Sequence, residues 1–513
     1  MDEPSLVELS CEFFHLSKGE MMKLNLASAL ALLALGLVAV GTAGASPYVI
    51  GTDIIVSGPS TLTGCLFGAS PDFAAAYDNT EVEPQVAVNP TNPNEIVGVS
   101  QQDRWPDGGA RGLTSWRSLN GGSSYSKLLD VPWARCQGGP ERFSRATDPW
   151  VSYDKGGNLY FLGQQIDSAA LGLSAVSVST WNGSAWGTPK TLIEDVGTRG
   201  VFNDKISITG DPTRAGYAYA TWLRWDVPNG GRQSERADPR SFAWRGLPMI
   251  SRTTDGGNTW SEAEPMRRSN LYMQGGQIAV APNGTLYNVG AVLFTGAGFN
   301  DNGVYMGVMR SNDAGRTWSA PVKLAPIQTA QLFVPDDNFP IRAGDYIPDI
   351  AIDPTNGDIY VVWSDGLGGA INQIVMAKST DGGRHWSGPT VVSNGGMLAQ
   401  AYNHSVEVTE DGTLVITYFD DRNNVLGDGV ATTDIWLRHS HTGAATWEPE
   451  QLLHGPFDHY SAPISYFAPE DPRGLFLGDY MGLETISGDD VINFVSSTIA
   501  DGADAHSIRA NHP

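Results

Sequence analysis

From about residue 80 onward, short apolar runs rich in aromatic and β-branched residues alternate with turns built from glycine, proline and asparagine. Beyond the N-terminus no long stretch sustains a helical period, so the pattern predicts strands throughout. The runs come in pairs, an apolar run, a turn, then a second run. The first members begin near Gln85, Trp150, Lys205, Gln277, Pro348, His404 and Asp479, which predicts seven units. The last unit, 478–485, 490–497 and 507–510, stops where a fourth strand would begin; residues 48–56 are expected to supply it.

An eight-residue turn follows the pairs in fixed register. Clear copies run from Thr253 to Trp260 with Asp255 and Gly257, from Ser311 to Trp318 with Asp313 and Gly315, and from Ser379 to Trp386 with Asp381 and Gly383. Degenerate copies run from Ser118 to Tyr125, Ser440 to Trp447 and Ser179 to Trp186, where Asn120, Thr442 and Trp181 replace the aspartate. In such a turn the Ser/Thr and Asp side chains cap backbone N–H groups, glycine takes positive φ, and the tryptophan forms an apolar plug. The motif resembles the Asp-box of the sialidase (neuraminidase) superfamily, where it joins the third and fourth strands of a blade. That resemblance covers the chain through its repeats and implies an all-β β-propeller. Seven blades are favoured by the unit count, with six as the alternative, and the N-terminal strand is expected to close the ring and leave no open edge. Seven units in residues 46–513 take about 67 residues each, against 40–50 in compact propeller repeats, so elaborated loops are expected.

Composition agrees with a large globular core: of 513 residues, 41% are hydrophobic and only 17% charged. At the N-terminus, Lys23 precedes an apolar run over 24–40, and Ala43-Gly44-Ala45 supplies a small-residue cleavage pattern. Residues 21–45 are therefore read as a secretory signal peptide cleaved near Ala45, and 1–20 as a mis-assigned start. The run is short for a membrane span. Removing 1–45, with five acidic and two basic residues, changes the formal charge from −24 to −21. Such a field opposes nucleic acids and anionic membranes, so recognition of any anionic glycan must be local. Cys65 and Cys136 remain, and in a secreted chain a disulfide is the expected pairing, with two buried free thiols as the alternative.

In a propeller, the loops entering each first strand and leaving each second strand meet around the channel on one face, opposite the Asp-boxes. The boxes are therefore read as structural. The other face offers Glu83, Arg104, Asp107, Arg111, Arg145, Asp148, Arg342, Tyr346, Arg422 and Tyr480, and Gly-Asp-Tyr occurs at both 344–346 and 478–480. Sialidases bind the substrate carboxylate with three arginines and use a glutamate-activated tyrosine as nucleophile and an aspartate as acid/base. The resemblance implies catalytic roles for Asp107, Tyr346 or Tyr480, and Glu83, with Glu484 as the other candidate base. It implies substrate-binding roles for Arg104, Arg111, Arg145, Asp148, Arg342 and Arg422. Arg104 with Asp107 resemble the family's arginine and acid/base pair after the second strand. The family's Arg-Ile-Pro segment is replaced here by Val82-Glu83-Pro84-Gln85.

No His/Cys cluster has metal spacing and the 420–428 carboxylates are too irregular for an EF-hand. No cofactor is expected to be required, calcium at a carboxylate-rich mouth being the exception left open. The expectation is a secreted, monomeric, sialidase-like glycoside hydrolase acting on extracellular glycans. A polysaccharide lyase acting on uronates and a non-catalytic glycan- or protein-binding propeller are the alternatives.

Overall fold

The structure is a computed structural model that describes residues 47–512, except 129, 168–172, 197–200, 227–244, 268–270, 295–302, 345, 397–398, 487 and 499–501. The expected signal peptide and the first twenty residues lie outside the described residues. The described chain is all-β, with only short 3-10 turns at Arg135–Gln137 and His459–Ser461.

Antiparallel four-strand groups follow one another along the chain. Glu81–Val88, Ile96–Arg104, Ala110–Ser118 and Ser126–Lys127 form the first, and Arg145–Tyr153, Leu159–Ile166, Ser174–Thr180 and Lys190–Asp195 the second; the single pair Ala110 with Ala146 joins them. The second group is complete although its turn motif is the poorest. Groups starting at Val201–Gly210 and Tyr272–Val280 are likewise joined by one pair, Gly246 with Tyr272. Groups starting at Asp349–Ile352 and Ala401–Val408 form separate four-stranded sheets. In the last group, Gly482–Ile486, Asp489–Ser496 and Asp504–Asn511 are completed by Val49–Ile50 and Ile54–Ile55, which pair antiparallel with Asp504–Asn511. The first strands contact each other in chain order, and Gly482–Ile486 contacts Glu81–Val88.

Most first strands begin about four residues earlier than the apolar pattern predicts, at Glu81, Arg145, Val201, Tyr272 and Ala401, while the last begins later, at Gly482. The physical reason is a β-bulge near the start of five of them. Register slips between Val82 and Gln85, Thr147 and Trp150, Asp204 and Ser207, Gln274 and Gln277, and Tyr402 and Ser405. In each bulge one residue takes positive φ, namely Glu83, Asp148, Lys205, Gly275 and Asn403. A bulge interrupts the alternation on which the pattern rests and re-aims a side chain.

The turn motif folds in its five better copies. At Ser311, Oγ donates to Asp313 and accepts the Gly315 N–H at 2.9 Å, while Asp313 accepts the Thr317 N–H at 2.8 Å. Ser118/Asn120 and Ser440/Thr442 keep the same bonds despite the lost carboxylate. The copy at Ser179 does not: Trp181 bridges Trp186 and Asn182 caps the turn instead. A cation of the preceding group reaches a carbonyl in the turn of the next: Lys190 to Gly257, Arg252 to Gly315, Arg310 to Gly382 and Lys378 to Gly443. Arg509, in the last group, donates to Gly121 in the first at 3.0 Å.

A separate three-stranded sheet, Ile341–Arg342, Ile464–Ala468 and Asp471–Phe476, stands outside these groups and carries Arg342 and Arg473. A disulfide joins Cys65 to Cys136 and ties the segment after the N-terminal strand to the loop before the second group.

Candidate functional site

Two cavities lie at the inner strands. One, of about 1070 Å³ including its open ends, is lined by residues from all seven first strands, among them Gln85, Trp150, Ser207, Gln277, Asp349, Ser405 and Leu483. The other is a cleft of about 420 Å³, open to solvent, that collects the bulge residues Glu83, Asp148 and Lys205 with Asp204, Arg104, Arg342 and Arg473. The eight-residue turns lie at the opposite ends of the strands, where the Gly121 N–H meets the carbonyl of Asn94 in the first strand-to-strand turn.

The cleft side chains form one hydrogen-bonded chain. Arg104 donates to Oε1 of Gln101 at 2.8 Å, and Nε2 of Gln101 donates to Glu83 and, at 2.9 Å, to Thr147. The Thr147 hydroxyl donates to Asp148, whose other oxygen accepts the Lys205 N–H at 3.1 Å. The Lys205 ammonium pairs with Asp479, which also receives Arg342 at 2.6 Å. Arg104 and Arg342 both stack on Phe476, 4.2 and 4.1 Å from its centroid, which fixes the planes of the two guanidiniums.

Burial sets the electrostatics. Glu83, 1% exposed, is pushed up to about 7 by desolvation and then by Asp148, with Lys205 opposing. Asp204 is lifted to about 6 by burial. Asp479 is also buried, yet Arg342 and Lys205 outweigh that and hold it well below the usual carboxylate range. Burial would lower Lys205, but Asp479 and Asp148 raise it above its ordinary value. Arg104 falls to about 9 through burial and the nearby Arg342. Glu83, poised near neutrality, thus stands close to a firmly ionised carboxylate that is held by two cations.

The remaining candidates are distributed as follows. Tyr480 is buried beneath the cleft; its hydroxyl donates to the Pro149 carbonyl at 3.1 Å, and desolvation followed by Glu83 raises its pKa well above the ordinary value. Tyr346 sits under the fourth group, where Gln274 donates to its hydroxyl. Asp107 pairs with Arg145 at 2.8 Å, and Arg145 spends its other contacts on the carbonyls of Gly68 and Gly108. Arg111 is held by Asp78, Asp103 and the Cys65 carbonyl. Arg422 is locked between Asp420 and Glu450 and stacks on Trp436. Glu484 lines the larger cavity, raised to about 8 by burial and Asp349. The cleft therefore brings together Glu83, Arg104, Asp148 and Arg342, with Tyr480 below, and not Arg111, Arg422 or Tyr346.

Sequence reasoning missed Arg473; it put Lys205 and Asp479 on this face but gave neither a role, and their ion pair with Arg342 emerges only in the fold. The repeated Gly-Asp-Tyr was a usable signal. A Cβ on Gly344 would lie 2.1 Å from the Asp479 carbonyl and one on Gly478, at φ 149, would lie 2.9 Å from the Glu83 nitrogen. Both glycines are close-approach points that set the two sides of the site.

No family model matches the chain, and no curated protein matches it. Solved structures similar to it include a protein of unknown function from Dyadobacter fermentans (14% identity, 87% of this chain and 99% of that one, TM-score 0.45). They also include a Hadza microbial sialidase (15%, 82% and 75%, 0.46) and a Penicillium chrysogenum α-L-arabinanase complexed with arabinobiose (12%, 90% and 98%, 0.44). At these TM-scores the likeness carries no argument about activity.

Proposed function

We propose that the chain is a secreted, monomeric, seven-bladed propeller that hydrolyses glycosides of a carboxylate-bearing sugar on extracellular glycans. The observation that carries this reading is the convergence of Arg104, Arg342 and Arg473 on the cleft that holds Glu83, above Tyr480. Guanidiniums recognise a planar carboxylate by paired hydrogen bonds, and in an otherwise acidic chain they provide the local attraction that the overall field denies. Seven four-strand groups, first strands in contact around one cavity, and the Arg509-to-Gly121 bond between last and first groups support the blade count and a closed ring.

In this reading Glu83 accepts the Tyr480 proton as the phenolic oxygen attacks the anomeric carbon. The bond to the leaving oxygen breaks as Asp204, which burial raises above the ordinary carboxylate range, protonates it. Water then releases the sugar with the proton flow reversed. Asp107 is the other candidate donor, and comparing Asp107→Asn with Asp204→Asn separates the two. The experiment is turnover of a panel of fluorogenic glycosides, sialosides included, together with acidic polysaccharides. Turnover of acidic substrates that falls at least 100-fold in Glu83→Gln supports the reading; no turnover of any glycan ends it.

One observation favours a binding-only propeller: at rest, Tyr480 is engaged by Pro149, and Arg342 and Lys205 are both engaged by Asp479. Saturable affinity for an acidic glycan without consumption would select that reading.

A further inference from the structure

Outside the cleft, the break in the N-terminal strand brings Asp53 against two histidines. Nδ1 of His454 lies 2.7 Å from one carboxylate oxygen and Nδ1 of His506 lies 2.9 Å from the other. One ligand atom from each of the three residues falls within 4.8 Å of the others. The three come from separate parts of the chain: the N-terminal segment, the last strand of the sixth group, and the third strand of the seventh. Their separation in sequence is why no spacing rule finds them.

We propose that Asp53, His454 and His506 bind one divalent transition ion of the zinc class, which clasps the N-terminal segment onto the sixth and seventh groups. Two imidazoles and one carboxylate suit zinc, copper or nickel and not calcium, which takes oxygen ligands. Metal–nitrogen bonds of about 2.0–2.1 Å in tetrahedral array place ligand atoms roughly 3.3 Å apart, so the present contacts open by about half an ångström to admit the ion. Two further features prepare the site. The Ser496 hydroxyl lies 2.9 Å from Nε2 of His506 and holds the ring with Nδ1 toward Asp53; when an ion displaces the Nδ1 proton, Nε2–H donates to that hydroxyl. The His506 ring stacks on Phe494 at 5.1 Å with 7° between planes, and the His454 ring packs on the same phenylalanine at 4.9 Å. Asp53 is exposed, which leaves a path for the ion and a coordination position for water.

Three other histidines supply an internal control. His439, His441 and His512 pack edge to edge around Tyr48, away from Asp53. The test uses the whole secreted chain after chelator treatment, titrated with Zn2+ by calorimetry and with Co2+ by visible absorption. The expected result is one equivalent bound, a four-coordinate Co2+ spectrum and a higher Tm with metal. Affinity should fall at least 100-fold in the double variant His454→Gln/His506→Gln and at least 10-fold in Asp53→Asn, and stay unchanged in His441→Gln. Asp53→Asn, an exposed and nearly isosteric change, keeps the test decisive if the double variant fails to fold. Absence of stoichiometric uptake, or uptake undiminished in Asp53→Asn, overturns the proposal.

Discussion

Arg342, on the accessory sheet, donates from Nη2 to Oδ2 of Asp479 at 2.6 Å across 137 residues of sequence. The same oxygen receives Lys205 from the third group, so one buried carboxylate joins three parts of the fold. Removing its charge takes from two cations the carboxylate they share in a low-dielectric site. Asp479→Asn is expected to lower stability by roughly 3–5 kcal/mol, measured by urea denaturation. A loss below about 1 kcal/mol would mean that Asp479 is not the hub.

The eight-residue turns are structural, and their contribution is separable from the cleft. Ser311→Ala strands the buried Gly315 N–H that its hydroxyl now accepts. The expected cost is about 1–2 kcal/mol, read from chemical denaturation, with ligand affinity at the cleft unchanged. A change in cleft affinity at constant fold would contradict the separation of the two faces.

Much of the fold was legible because its signals are local. The motif from Ser311 to Trp318 carries its own hydrogen-bond logic, and residues 48–56 were needed to complete a unit that lacked a strand. Strand starts were misplaced because the bulges at Glu83, Asp148 and Lys205 interrupt alternation without changing composition. The cleft was half legible. Glu83, Arg104 and Asp148 stand at strand entries or exits, where the repeat register points; Arg342 is expected ahead of the fifth unit but lies in the accessory sheet. Arg473 stands in the accessory sheet, outside that register, and whether Arg111, Arg145 or Arg422 reaches the mouth depends on partners such as Asp103, Gly68 and Glu450 that only packing supplies.

Stability should depend on pH with a definite sign. Glu83 is raised to about 7 and Glu484 to about 8, chiefly by burial, so the native state keeps protons that the unfolded chain releases. Stability therefore falls as pH rises from near 4.5 through 7–8. The buried histidines His404 and His439, lowered to about 4, oppose this below pH 6.5, where the unfolded chain gains protons first. Above pH 6.5 the carboxyls act unopposed by the histidines, and Tm is expected to drop by several degrees between pH 6.5 and 8.5. A Tm that rises over that interval would contradict the burial of these carboxyls as neutral groups.

Reducing the Cys65–Cys136 bond opens a loop of 71 residues. The expected loss is about 4 kcal/mol in the chain-entropy account, seen as a lower denaturation midpoint in dithiothreitol. Because the Cys65 carbonyl also accepts from Arg111 at 2.7 Å, the double variant Cys65→Ser/Cys136→Ser should loosen the 60–79 segment first, detectable as faster amide exchange there. Exchange unchanged in 60–79 would place the tether's effect elsewhere.

The central claim is that Glu83, poised near neutrality beneath three arginines, drives hydrolysis of a carboxylate-bearing glycoside. The most direct measurement is kcat/KM against pH for wild type and Glu83→Gln on one fluorogenic acidic glycoside. The account predicts a wild-type profile with an inflection near pH 7, and a loss of at least 100-fold with that inflection gone in the variant. Full activity with the same inflection in Glu83→Gln would contradict it.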